Sequence, residues 1–274
     1  MWRFFILVCD YQIYLVLKIC LKVAPNLVQA LQLSDLTLYG LVMTVEVDNL
    51  EAKQEKYRKV APILEETYGR KQPKRHDGMD ELVSCILSQS TTDANRDRGF
   101  DALKTEYPSW EAVHHAPEKE LIEVIRPAGL SNSKAPYIQG SLERIYEERG
   151  EYNIDFLEDM PVPEAKEWLQ SLPGVGPKTA AIVLCFAFNM PAFPVDTHVH
   201  RVGKRIGFLP EKISADKAHD HMEVITPEED YYAFHLQLIY HGRAICKARN
   251  PQCEECPIRN YCDYYQALDT DTDG

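Results

Sequence analysis

Residues 172–198, LPGVGPKTAAIVLCFAFNMPAFPVDTH, decide how this 274-residue chain is read. Gly174 and Gly176 make a turn with a bare backbone, and without a Cβ an anion can come close to the peptide groups. Pro177 stands where a helix begins, a position that tolerates a missing N–H. Lys178 follows on the first turn, and Ala180, Ile182, Val183 and Phe186 carry the pattern on as an apolar helix. Free N–H groups at a helix N-terminus favour negative charge. Asp196, 18 residues after Lys178, opens the next helix. Two readings stay open on these residues: a phosphate-binding turn with an amine and an acid beside it, or an ordinary helix–turn–helix with glycine at its corner. A GxG pattern alone does not choose between them.

LPGVGPKTA followed by VDTH resembles the helix–hairpin–helix and aspartate segment of the endonuclease III family of DNA glycosylases. The likeness runs over about residues 49–264, and the chain shows almost no period-2 alternation, so an all-α fold is expected. The resemblance implies two lobes with DNA in the groove between them. A six-helix barrel domain at 79–187 would end in the hairpin. The second lobe would be an iron–sulfur cluster domain made of an N-terminal helix within 43–78 together with 188–264. It further implies that Lys178 attacks C1′ of the damaged nucleotide, forms a Schiff base and nicks the strand by β-elimination. Asp196 would stabilise positive charge on the sugar, and Gly174, Val175 and Gly176 would hold a phosphate. A lysine near pKa 10.4 is a weak nucleophile at neutral pH, so the chemistry needs desolvation or nearby cations.

Four cysteines follow the spacing Cys246-x6-Cys253-x2-Cys256-x5-Cys262. Thiolate sets bind zinc or iron–sulfur clusters, and spacing rules alone leave both open. Within HGRAICKARNPQCEECPIRNYC the spacing is similar to the cluster loop of the endonuclease III family, which implies a 4Fe–4S cluster on these four residues. Lys247 and Arg249 form a basic loop within it that can address a phosphate backbone. Cys85 and Cys185 sit among apolar neighbours and read as core.

Two connectors matter beside the hairpin. Residues 88–93, SQSTTD, are a dense polar cluster that either caps the helix expected at 93–106 or does more. In the family the matching turn supplies the residue that fills the gap left by an extruded base. Counted back from the Thr-Asp pair, Ser90 stands at the family's glutamine position and Gln89 one place earlier, which leaves lesion preference open. Residues 128–135, AGLSNSKA, are similar to the family's GLxxSKA turn, so Leu130 would be an apolar wedge entering the base stack, with Asn132 as a neighbouring DNA contact. Without the resemblance, a leucine in a helix connector reads as core.

Further helices are expected at 49–68 with Asn49 as cap and Gly69 as stop, from Asp80, and at 109–115, 118–126, 133–149 and 163–171. The pairs His198/His200 and His219/His221 are two apart, point to different helix faces and make poor metal sites. The linker 70–75, RKQPKR, reads as a solvated loop.

A net charge of −12 opposes approach to DNA, so a local basic patch has to carry binding. Residues 1–42 are apolar and lack glutamate, but Asp10, Lys18, Lys22 and Asp35 interrupt them, so no membrane-length uncharged run survives. An apolar run stopping at Asp10 is too short for a signal peptide. They are read as an extension ahead of Met43 as the true first residue, and 265–274 as a short acidic tail. The expected protein is a monomeric, cytoplasmic, nucleoid-associated base-excision-repair glycosylase with AP lyase activity. It would remove oxidised pyrimidines from double-stranded DNA and act on abasic sites, with no membrane partner. A monofunctional uracil, thymine-mismatch or adenine-mismatch glycosylase of the same fold is the alternative; the adenine-mismatch branch carries a hydroxyl residue where Lys178 stands. A non-catalytic iron–sulfur DNA-binding protein is the alternative of another class.

Overall fold

Capping chemistry written into the sequence sets five of the helix starts. Asp77, Thr92, Ser109, Asp196 and Ser214 each accept a hydrogen bond from the backbone N–H three residues on, which satisfies one of the donors a helix leaves free. The computed structural model describes residues 47–270. The readings of 1–42, Met43 and the last residues of the tail lie outside them. The elements are α1 (Leu50–Tyr68), α2 (Gly78–Leu87), α3 (Asp93–Glu106), α4 (Trp110–His115), α5 (Glu118–Val124), α6 (Ser131–Arg149), α7 (Val162–Gln170), α8 (Pro177–Ala187), α9 (Thr197–Ile206), α10 (Ala215–Ile225), α11 (Tyr231–Ala244) and α12 (Asp263–Thr270). Among the described residues there is no strand, and the fold is all-α. No helix among them is long and apolar enough to cross a membrane.

The apolar faces sort into two cores. Leu82 and Ile86 of α2, Leu103 of α3, Ile138, Leu142 and Ile145 of α6, Leu169 of α7 and Val183 and Leu184 of α8 share the first. Tyr57, Val60 and Leu64 of α1, Phe193, Val199 and Val202, Met222 of α10, and Phe234 and Leu238 of α11 share the second. Each fully buried Leu, Ile or Phe contributes about 1.5–3 kcal/mol. The chain passes from one core to the other between Ala192 and Phe193. Helix α8 serves both, because Cys185 on its far side packs in the second core. Lys166 of α7 pairs with Glu223 of α10 at 2.5 Å, and the same carboxylate accepts from Phe193 N at 2.9 Å. This pins the crossing point.

Several local expectations are corrected. Asp80 does not open α2; Asp77 does, accepting from Asp80 N at 2.9 Å. Asn49 precedes α1 with φ 56° and gives no side-chain cap. The helix expected to reach 126 ends at Val124, and Arg126–Ala128 tightens into a 3-10 turn at Pro127, which lacks a donor. Helix α6 starts at Ser131 rather than 133. Residues 265–270 of the expected tail are helical as part of α12, whose start is held where Asp263 meets Lys56 and Tyr264 lies under Arg205, 4.9 Å from ring centre to guanidinium.

Candidate functional site

The hairpin 171–177 stands on α6. Ser141 Oγ donates to Pro173 O at 3.1 Å and Arg144 to Ser171 O at 3.3 Å. Gly174 has φ 73°, and a Cβ there would lie 2.6 Å from the ring of Tyr137. Gly176 has φ −102°, with open space around its missing Cβ. Val175 is buried and anchors the turn in the first core. The two glycines thus differ: one satisfies the fold, while the other leaves bare backbone at the start of α8.

Lys178 projects from the first turn of α8 and is exposed. Asp196, half-buried, caps α9 by accepting from Val199 N at 2.7 Å. His235 of α11 is 2% exposed, its ring among Phe186 and Phe193. Its Nδ1 donates to Pro194 O at 2.8 Å, which sets the tautomer. Burial pulls its pKa down to about 4; Asp196 opposes that shift and Lys178 adds to it, so both charges reach the same ring. Arg243 of α11 bonds the Asp93 carboxylate at 2.8 Å and holds its pKa down, and the charge of Lys178 adds to that shift. Amine, carboxylate and cations therefore share one region.

Two turns flank it. Ser90 is exposed with φ 51°, and Gln89 is half-buried, its amide donating to Gly174 O at 2.7 Å. Thr92 provides the cap of α3 at 3.3 Å from Asn95 N, so the polar cluster supplies one cap and one tie to the hairpin. Leu130 is 59% exposed at φ 51°. It is therefore not core, and Asn132 lies exposed in the next turn of chain.

The four cysteines line one small cavity with Ile206, Ile245, Pro251, Ile258, Arg205 and His241. None is in a disulfide. Arg205 donates to Cys246 Sγ at 3.3 Å, and His241 Nε2 lies 3.6 Å from Cys256 Sγ. Such donors stabilise thiolate charge. Burial pushes the Cys256 thiol up to about 11 and raises Cys253 and Cys262, so ligation has to displace protons. The residues fit an iron–sulfur cluster. Lys247 and Arg249 stand exposed on the loop, whose base is fixed by Arg205 to Lys247 O at 2.7 Å and Arg201 to Cys246 O at 3.0 Å. Cys85 and Cys185 are buried away from this cavity, and burial raises both thiols, Cys185 to about 12.

Residues 83–228 match the family described as HhH-GPD superfamily base excision DNA repair protein, and 246–262 match the iron–sulfur binding domain of endonuclease III. The chain belongs to the HhH-GPD superfamily. It is an endonuclease III-like base-excision-repair DNA glycosylase, and its cluster is of the 4Fe–4S type. Endonuclease III of Sulfolobus acidocaldarius is 35% identical over 186 residues, covering 67% of this chain and 81% of that one. A solved structure of a trapped endonuclease III–DNA covalent intermediate, an estranged-adenine complex, superposes with TM-score 0.67 at 30% identity, covering 78% of this chain and 98% of that one. A thermostable thymine-DNA glycosylase superposes with TM-score 0.66 at 28% identity, covering 80% and 100%. Within the HhH-GPD frame, sequence reading missed Tyr137 under the hairpin, His235 bonded to Pro194 O, and Arg205 and His241 at the four cysteines. Their signals were spread over three helices. His198, His200, His219 and His221 are each engaged by a hydrogen bond, to Arg201, Ile213 O, Phe193 O and Lys217 O respectively.

Proposed function

We propose that this glycosylase is bifunctional, removing an oxidised pyrimidine from duplex DNA and then nicking the strand through Lys178. The observation that carries the reading is an exposed lysine in the first turn of the helix that follows the open backbone of Gly176, with Asp196 held as the cap of the next helix. The neutral amine of Lys178 attacks C1′, and the base leaves with the electron pair of the glycosidic bond and takes up a proton. The sugar ring opens to an iminium on Lys178 Nζ. Loss of the 2′ proton then expels the 3′ phosphate oxygen and cuts the strand. Asp196 offsets the positive charge that develops on the sugar and assists these proton transfers. Gly174, Val175 and Gly176 hold a backbone phosphate through their N–H groups. Lys247 and Arg249 on the cluster loop add cations that a chain of net charge −12 otherwise lacks. Gln89, Ser90, Leu130 and Asn132 meet the base stack as the target is extruded, a step that costs a few kcal/mol and less at damaged pairs. The 4Fe–4S cluster, when bound, pins this loop; the residues that hold it are Cys246, Cys253, Cys256 and Cys262. The trapped covalent complex of a related endonuclease III supports a covalent route.

Borohydride trapping tests the proposal on duplexes carrying thymine glycol, uracil or an abasic site. A covalent adduct on the thymine glycol duplex, lost in Lys178→Gln while duplex binding persists, is the expected result. Trapping on the abasic duplex alone removes the oxidised-pyrimidine substrate and leaves the lyase. Base release with no adduct on any duplex favours the second reading, a monofunctional mismatch glycosylase. Ser90, in place of the family's glutamine, and the likeness to a thymine-DNA glycosylase speak for that reading.

A further inference from the structure

Lys134 lies in the first turns of α6 and is only 1% exposed, first by size among the fully buried side chains. Its Nζ donates to Leu87 O at 2.7 Å and to Ala128 O at 2.8 Å. A buried ammonium is costly, and only hydrogen bonds offset that cost. A methionine would fill the same volume without it. What the amine adds is a tie between two carbonyls far apart in sequence. Leu87 is the last residue of α2, just before the Ser88–Thr92 turn, and Ala128 closes the 3-10 turn just before Gly129 and Leu130.

Both turns hold a residue in the left-handed region, Ser90 and Leu130, each at φ 51°. Non-glycine residues there are strained and persist where the surroundings over-determine them. The first turn is also tied onward, since Gln89 bonds Gly174 O at 2.7 Å and Tyr137, one helical turn past Lys134, packs against Gly174. The connection runs from Leu130 through Ala128, Lys134, Leu87 and Gln89 to the hairpin that carries Lys178.

We propose that Lys134 is a positioning residue that locks the 88–92 turn and the Gly129–Leu130 turn into one two-pronged wedge, so that both prongs enter the duplex together and in register with the hairpin. This rests on the reading of those turns as the parts that meet the base stack. A purely structural lysine, neutralising the C-terminal end of α2, would affect melting temperature without linking the two prongs.

The test uses the full-length protein and a duplex with 2-aminopurine opposite a tetrahydrofuran abasic analogue, which reports unstacking without requiring any chemistry. At saturating protein the native chain raises the fluorescence. Leu130→Ala loses most of that rise, Lys134→Met loses most of it while retaining duplex binding, and the double variant loses no more than either single one. If Leu130→Ala keeps the rise, the wedge reading falls and this proposal falls with it. If Leu130→Ala loses the rise while Lys134→Met keeps it, or if the two losses add, the wedge stands and the role of Lys134 is overturned. Should Lys134→Met lose its helical circular dichroism, Lys134→Leu, which likewise has no donor, is read in its place by the same criteria.

Discussion

Asp196 serves two purposes with one carboxylate. Its Oδ1 caps α9 through Val199 N, and under the proposed mechanism its charge stabilises the sugar. Substitutions separate these duties. Asparagine caps as well as aspartate, whereas alanine forfeits about 1 kcal/mol. Asp196→Asn therefore melts like the native protein yet loses about 10²-fold or more in single-turnover rate, and Asp196→Ala loses both. Thermal melts paired with single-turnover assays measure this, and an Asp196→Asn enzyme with native rate reduces Asp196 to a cap. His235 is the other residue whose surroundings define it. Its Nδ1–H is committed to Pro194 O, two residues before Asp196, so it fixes the approach of the extended segment to the site. VDTH was legible in the sequence as the aspartate segment. His235 was not, since its partners come from α8, α11 and the 188–196 crossing.

At the scale of elements, the hairpin is a turn whose two glycines answer different demands. Gly174→Ala forces a side chain into φ 73° and against Tyr137, which costs about 1–3 kcal/mol. Gly176 has a backbone any residue adopts and open space beside it. Gly176→Ala therefore leaves the melting temperature unchanged but, under the proposed mechanism, places a methyl group in the path of the phosphate and raises Kd for duplex DNA. Melts and a binding titration at fixed salt distinguish the two; equal effects of both substitutions on stability refute the division. Helix α6 is the element that joins the parts: Lys134 at its start, Tyr137 on the next turn, and Ser141 and Arg144 under the hairpin. Its start depended on a buried lysine, which periodicity does not reveal, and the 3-10 turn at Pro127 displaced the boundary expected from pattern alone.

At the scale of the whole chain, the described residues form two cores that the chain passes between at Ala192–Phe193, with His219 and His235 buried beside that crossing. His235 has its pKa pulled to about 4 by burial, and burial lowers His219 as well. In the unfolded chain histidine titrates near 6.5. Between about 4 and 6.5 the unfolded state binds more protons than the folded one, so stability rises with pH across that window and is lost as pH falls through it. Near mid-window the slope is about 1.4 kcal/mol per pH unit for such a group. Urea melts from pH 7 down to pH 5 should show this loss, and His235→Gln should flatten the dependence; an unchanged slope in that variant assigns the acid sensitivity elsewhere. The cluster belongs to this scale too, since its cavity draws on α9, α11, the 246–262 loop and the start of α12.

By itself the sequence determined the all-α class, the hairpin with Lys178 and Asp196, and the four-cysteine loop. Each is a local signal in which glycine, proline, capping residues and cysteine spacing act within a few residues of one another. Only the tertiary structure decided that Leu130 stands out of the core, that Gln89 is tied to Gly174 O, and that residues 263–270 fold as a helix against α1 and α9. It also placed Lys134 between two loops and His235 against Pro194 O. Those outcomes depend on hydrogen bonds and burial between segments distant in the chain, where a buried ammonium or imidazole is settled by partners that no sequence window contains.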